Sequence, residues 1–401
     1  MNIVICADGT GNSFGGPATN VVRLVMVLRL DTPNAQITIY HPGVGTKRSS
    51  LNAAYRFKDR IHHATLQISE PGKFWGFGGP LTRVAGLAFG AGLQANVESL
   101  YAALSHAAYN TSDPNLFFFG FSRGAFTVRA LAGFIHRCGL LPPDRLQHVS
   151  YAYRSFYNER HREVMSQKTR ADFDKRVEDF RRQNDSHPCT IQFLGLWDTV
   201  KSYGFVYPKS LPHLRHNPSV VAVRHAVALN ERRSYYQFTS WAGVDHPPYQ
   251  DSRPDDPTDV KEIWFAGSHS DVGGGYIRSD SGLARAPFEW MVGEARAEGL
   301  LIDDGALEEV RAEFSTEVVI HESLRRWWWI AEFLPRFDIQ NIPIAGQRIA
   351  RWGPTGERDL RQTARNHRVH IHPSVHDVYS RMGMILRSAG LRVESSESHG
   401  P

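Results

Sequence analysis

Gly120-Phe121-Ser122-Arg123-Gly124 stands between the apolar run Phe117-Phe118-Phe119 and a stretch with helical spacing. A serine hydroxyl is a poor nucleophile until an imidazole accepts its proton and a carboxylate orients that imidazole. G-x-S-x-G at a tight strand-to-helix turn lifts the serine above a sheet and aims the next backbone N–H at a developing oxyanion. The partners should follow in the order acid, then histidine, each just past a strand. Asp198 does so in Leu194-Gly195-Leu196-Trp197-Asp198-Thr199-Val200. His269 does so in Trp264-Phe265-Ala266-Gly267-Ser268-His269, with Gly273-Gly274-Gly275 close behind. The spacing predicts Ser122 as nucleophile, Asp198 as orienting acid and His269 as base.

Each residue has a plainer reading. Ser122 could be an ordinary helix N-cap, and Asp198 could cap the next segment. Among 19 histidines, one after a strand is unremarkable by itself. The three glycines near His269 favour function, because they permit close backbone approach at a crowded site. His372 and His376 are the rival bases, and Asp271 is a reserve acid or the holder of the glycine turn. His225 falls within a predicted helix and reads as structural.

The turn Asp8-Gly9-Thr10-Gly11-Asn12 follows a strand and precedes a helix. Gly9 or Thr10 backbone N–H groups could join that of Arg123 in an oxyanion hole, or form a phosphate nest. A dehalogenase-type nucleophile would need aspartate two residues before Asp8, where Cys6 stands. The second enzyme class to weigh is a metal-dependent phosphoester hydrolase using Asp8, Asp198, His269 and Asp271, which leaves the serine turn unexplained. No Walker-type G-x-x-x-x-G-K-[ST] is present, and Gly86, Gly90 and Gly92 complete no nucleotide fingerprint. No metal or cofactor is expected.

Short apolar strands alternating with helices must position these residues. Strands are predicted at 2–7, 37–40, 115–119, 190–196, 235–241 and 262–267, and helices at 19–30, 95–109, 123–137 and 219–230. This alternation predicts an α/β fold, a mostly parallel sheet with helices on both faces and ligands at the strands' carboxyl ends. Residues 1–282 read as the catalytic core, with helical insertions at about 45–95 and 143–188. Residues 283–388 read as a C-terminal helical annex, with helices at 283–298, 304–314 and 324–333, and 389–401 as a flexible tail.

Composition narrows the class. The 401 residues are 41% hydrophobic and 11% aromatic, enough for a sizeable core and unlike a disordered chain. No apolar run reaches the roughly 18 residues of a membrane span. Asn2-Ile3-Val4-Ile5-Cys6 follows Met1 with no basic n-region, so no secretory signal is expected; cytoplasmic synthesis fits, with signal-less export open. Cys6, Cys138 and Cys189 make neither a disulfide framework nor a zinc motif. A net charge of +5 suits anionic lipid or phosphate and is weak support for nucleic acid, which is not expected as a partner. Phe74, Trp75 and Phe77, in a glycine-rich loop, and Tyr203 are candidates to line a substrate pocket. Trp327, Trp328 and Trp329, flanked by arginines, have the makeup of an interfacial helix, though a core or lid helix is commoner. On that segment rests a third reading, a non-enzymatic membrane- or partner-binding protein.

The sequence resembles the α/β-hydrolase catalytic domain of the type VI secretion phospholipase effectors. ADGTGN, YHPGVGT, FGAGL, GFSRGAFTVRALAGFI, FLGLWDTV, HAVALNERR, WFAGSHSDVGGGY and HPSV carry the resemblance in family order from residue 7 to 375. It implies an α/β-hydrolase-like fold, a Ser122-Asp198-His269 triad and hydrolysis of lipid or phospholipid acyl esters through an acyl-enzyme.

Overall fold

The computed structural model describes residues 1–9, 17–32, 34–43, 66–68, 91–109, 111–157, 167–200, 214, 216–233, 236, 240–241, 258–324, 336–337, 350–351, 369–381 and 391–393. Short segments form β1 (Asn2–Ala7), β2 (Gln36–His41), β3 (Leu66–Ile68), β4 (Asn115–Phe121), β5 (Ile191–Trp197), β6 (Val220–Ala228) and β7 (Asp259–Phe265). Next come β8 (Arg336–Phe337) and β9 (Ala350–Arg351), a small antiparallel pair, then β10 (Val369–Ile371) and β11 (Leu391–Val393). Nine of these strands make one sheet in the order β11-β10-β7-β6-β5-β4-β1-β2-β3, with every described pairing parallel. The fold is α/β-hydrolase-like.

Successive strand residues face opposite layers, which splits the core in two. Ile3, Ile5, Leu116 and Phe118 pack beneath the helices Ala91–Ala108 and Arg123–Cys138. Val4, Cys6, Phe117 and Phe119 pack beneath Asn20–Val27, Arg285–Ala297 and Asp304–Glu313. Thr19 caps the first of these helices through Val22 N–H, and Asp303 caps the last through Ala306 N–H. Both caps satisfy otherwise orphaned amides.

Four expectations change. Residues 219–230, predicted helical, hold β6, a central strand buried on both faces. Val220-Val221-Ala222-Val223-Arg224-His225-Ala226-Val227-Ala228 is almost continuously apolar, a run that periodicity cannot assign; its valines suit a pleated, doubly covered strand. The chain beyond 282 is not solely a helical annex, because β10 extends the sheet beside β7. Leu391–Val393, within the expected tail, adds β11 beside β10. Of the predicted strand at 235–241, the described residues 236, 240 and 241 are not in a strand. The helices at 283–298 and 304–314 are present within two residues of their expected ends. Within 143–188 the main helix is Gln167–Gln183. Most of 45–95 and all but Leu324 of the predicted helix at 324–333 lie outside the described residues. No described helix is long and apolar enough to cross a membrane.

Candidate active site at the carboxyl ends of β4 to β7

β4 ends at Phe121, and the helix Arg123–Cys138 begins two residues on. Ser122 bridges them with φ 58° and ψ −119°, a region side-chain-bearing residues avoid. Such a backbone costs about 1–3 kcal/mol and persists only when its surroundings enforce it. Here Ser122 N–H donates to the Trp197 carbonyl at 3.0 Å, and Phe126 N–H donates to the Ser122 carbonyl at 3.3 Å. The second glycine of the motif permits the turn. A Cβ on Gly124 would stand 2.1 Å from the Ala7 carbonyl oxygen, inside the end of β1. Ser122 occupies the N-cap position, yet its side chain makes no capping hydrogen bond. The hydroxyl is therefore not used as a cap.

Asp198 follows the last residue of β5 and is fully buried. It too has a positive φ, 40°. β6 holds it through two bonds of its own and a third at the next residue. Asp198 N–H donates to the Ala226 carbonyl at 2.8 Å. Ala228 N–H donates to Asp198 Oδ1 at 3.0 Å, and Thr199 N–H to His225 Nε2 at 3.1 Å. The remaining carboxylate oxygen, Oδ2, lies 2.6 Å from His269 Nδ1. The predicted acid and base, 71 residues apart, are thus in direct contact.

His269 opens the short helix His269–Gly273 beyond β7. Its ring lies 4.6 Å from that of Phe121, the residue preceding Ser122, and meets Tyr236 edge-on at 4.8 Å. Burial holds the imidazole below its ordinary pKa, with the Asp198 hydrogen bond and charge acting the other way. At neutral pH it is a free base whose Nδ1 proton is directed at Asp198, which leaves Nε2 to accept a proton. Gly273 is required for packing, since a Cβ there would enter the Phe121 ring at 1.9 Å.

The structure adds residues to which sequence reasoning gave no role. Glu231 is buried, accepts the backbone N–H of His269 at 3.1 Å and pairs with Arg233 at 2.9 Å. The Arg233 guanidinium lies 3.6 Å over the Tyr236 ring. Both charges lie in the HAVALNERR motif, just beyond the segment predicted as a helix.

The other candidates have separate partners. The buried Asp8 carboxylate accepts Gly9 N–H at 2.7 Å and the hydroxyls of Thr19 and Tyr40 at 3.0 Å each. Burial pushes its pKa up to about 6. Gly9, expected as an oxyanion donor, therefore has its N–H turned to Asp8 in this conformation; Thr10 lies outside the described residues. Asp271 accepts the Ser268 N–H and hydroxyl and contacts His321 Nδ1 at 2.6 Å, so it braces the glycine turn. His372 Nδ1 accepts Ser374 N–H at 3.2 Å beside the helix Ser374–Arg381, and its ring stacks on Phe265 at 4.7 Å. Asp198 is matched instead to His269. Among the described residues no group of three or more His, Cys, Asp or Glu converges as a metal would require. Phe74, Trp75, Phe77, Tyr203, Trp327, Trp328 and Trp329 lie outside the described residues.

A parallel sheet carrying a strained serine elbow, with an acid–histidine pair on the neighbouring strand ends, defines the α/β-hydrolase-like class. The family model for the type VI secretion system phospholipase effector Tle1-like catalytic domain matches residues 1–294, and the chain belongs to that family. An uncharacterized protein of Saccharomyces cerevisiae, YEL023C, is 30% identical over 252 residues, which is 62% of this chain and 33% of that protein. The chain thus spans about a third of the length of this curated relative. An uncharacterized Pseudomonas aeruginosa protein of known structure is 19% identical, with TM-score 0.39 over 79% of this chain and 49% of that one. The structure of the Tle1 effector bound to the VgrG spike is 16% identical, with TM-score 0.31 over 70% and 52% of the respective chains.

Proposed function

We propose that this protein is a serine hydrolase that cleaves carboxylic esters, with lipid or phospholipid acyl esters as its substrate class. The observation that carries the reading is the 2.6 Å contact between Asp198 and His269, made at strand ends beside the strained Ser122 turn. His269 Nε2 takes the Ser122 proton as Oγ attacks the ester carbonyl. The tetrahedral oxyanion is held by the Arg123 backbone N–H, among the first amides of the elbow helix, where intrahelical partners are lacking. One decisive donor of this kind stabilises a transition state by about 3–4 kcal/mol.

Asp198 holds the His269 tautomer and stabilises the imidazolium as it forms. His269 then protonates the departing alcohol, leaving an acyl group on Ser122. Water, deprotonated by His269, attacks that ester, and the acid leaves with Ser122 restored. Membership of a phospholipase effector family and a net charge of +5, suited to anionic lipid, support the lipid assignment.

Labelling with a fluorophosphonate probe tests the nucleophile. The expected result is labelling of the native chain and none of folded Ser122→Ala. Equal labelling of the two would overturn the assignment.

A further inference from the structure

β6 carries a fully buried histidine that the triad does not use. His225 lies one strand from the acid, and its two ring nitrogens face different partners. Nδ1 is 2.9 Å from Glu262 Oε1 on β7, and Nε2 is 3.1 Å from Thr199 N–H, immediately after Asp198. An amide N–H can only donate, so Nε2 is the acceptor and the ring proton is on Nδ1, directed at Glu262. Glu262 is itself fixed, accepting Trp241 N–H at 2.8 Å and the Ser240 hydroxyl at 2.5 Å. Burying a carboxylate and an imidazole in a sheet centre is costly where apolar side chains would pack. The contact with Thr199 gives the pair a use.

We infer that His225, oriented by Glu262, is a positioning residue for the hydrolytic site: it anchors the amide after Asp198 and so holds the positive-φ acid turn against His269. This inference rests on the proposed triad. Without the anchor, the strained turn is free to relax, and Asp198 loses its aim at His269 Nδ1. Burial depresses the pKa of His225 despite the adjacent Glu262, in keeping with a neutral, single-tautomer ring.

Two substitutions divide the ring's functions. The amide of His225→Gln reaches the Nε2 position and can still accept from Thr199. That of His225→Asn reaches only the Nδ1 position, keeping the donor to Glu262 and losing the anchor. With p-nitrophenyl butyrate as probe, we expect His225→Asn to lose about 10- to 100-fold in kcat, KM little changed. Its acid limb should move to lower pH, because His269 loses the raising influence of Asp198 while Glu231, Arg233 and Tyr236 remain around it. His225→Gln should stay within about threefold. Equal losses in the two folded variants, or an unchanged acid limb in His225→Asn, would overturn the inference.

Ser122→Ala separates the two levels. If it too is fully active, the triad is wrong; if it is inactive while His225→Asn matches the native protein, only the anchor is wrong. Long-range histidine ¹⁵N NMR of the native protein reads the tautomer without any variant. Nδ1–H with bare Nε2 is expected at neutral pH, and Nε2–H or imidazolium would overturn the anchor.

Discussion

The serine elbow and the acid turn are two positive-φ junctions on adjacent strands, built in opposite ways. The elbow is local: Phe121, Ser122 and Gly124 lie within four residues, and the glycine gives room against β1. The acid turn is assembled from afar. Asp198 is held by Ala226, Ala228 and, through Thr199, His225 on β6, and it meets His269 beyond β7. Strain at the elbow is enforced by the strand and helix on either side together with one bond to the Trp197 carbonyl at the end of β5. Strain at the acid turn is enforced by a neighbouring strand, so it depends on the sheet being complete. A single short motif therefore encodes the turn of the proposed nucleophile, whereas the acid–histidine pair proposed to activate it depends on tertiary structure.

The strongest test of this contrast is chemical. Ser122→Ala is expected to lower kcat by at least about 10⁴-fold with the fold intact. Asp198→Ala should lose about 10³–10⁴-fold. If the two junctions serve one reaction, the double variant should lose little more than Ser122→Ala alone, as members of a catalytic unit do. Multiplied losses in kcat assays would mean independent roles.

Gly124→Ala tests whether the elbow is set by local space. The new methyl collides with the end of β1, so a stability loss of about 1–3 kcal/mol is expected in denaturant melts, with fluorophosphonate labelling slowed. Gly293→Ala, whose Cβ would meet nothing within 4 Å, is the matched control and should be neutral or slightly stabilising.

The pH profile probes the acid–base pair. Burial holds the pKa of His269, the proposed base, below the ordinary value of about 6.5. kcat/KM should therefore rise with pH through an apparent pKa under about 6.5 and stay flat above it. An acid limb centred above about 7 would contradict burial as the dominant influence.

The smallest effect concerns Asp8, behind the elbow. Its folded pKa of about 6 exceeds the unfolded value of 3.8. Its contribution is then complete below about 3.8 and is lost as pH rises through about 6. His41 runs the other way: burial lowers its pKa to about 4, so its contribution is full above about 6.5 and falls away toward pH 4. Asp8→Asn should remove only the first trend. Tm measured from pH 5 to 7.5 should rise for the variant relative to the native protein as pH increases.

The geometry of the candidate site was legible where short-range chemistry dictates it. Gly-x-Ser-x-Gly after a triple phenylalanine announces a strand, a tight turn and a helix, and all three are present. Asp198 and His269 were legible because strand ends can be read from apolar runs. β6 was not: a segment apolar on both faces looks the same as a buried helix until neighbouring strands claim its amides. The misreading hid the acid turn's anchors and made His225 look incidental. β10 and β11 escaped for a related reason, since three-residue strands carry too little pattern to be seen and exist here through pairing with β7 and with each other.

The sequence by itself determined the Ser122 turn, the alternating α/β layers and the chain order of Ser122, Asp198 and His269. These follow from steric rules and hydrophobic periodicity acting over a few residues. Only the tertiary structure decided which histidine Asp198 meets, that Asp271 serves His321 and the glycine turn, and that Glu231 and His225 stand behind base and acid. Those outcomes depend on hydrogen bonds between residues tens of positions apart, and their partners are selected only when the parallel strands come into register.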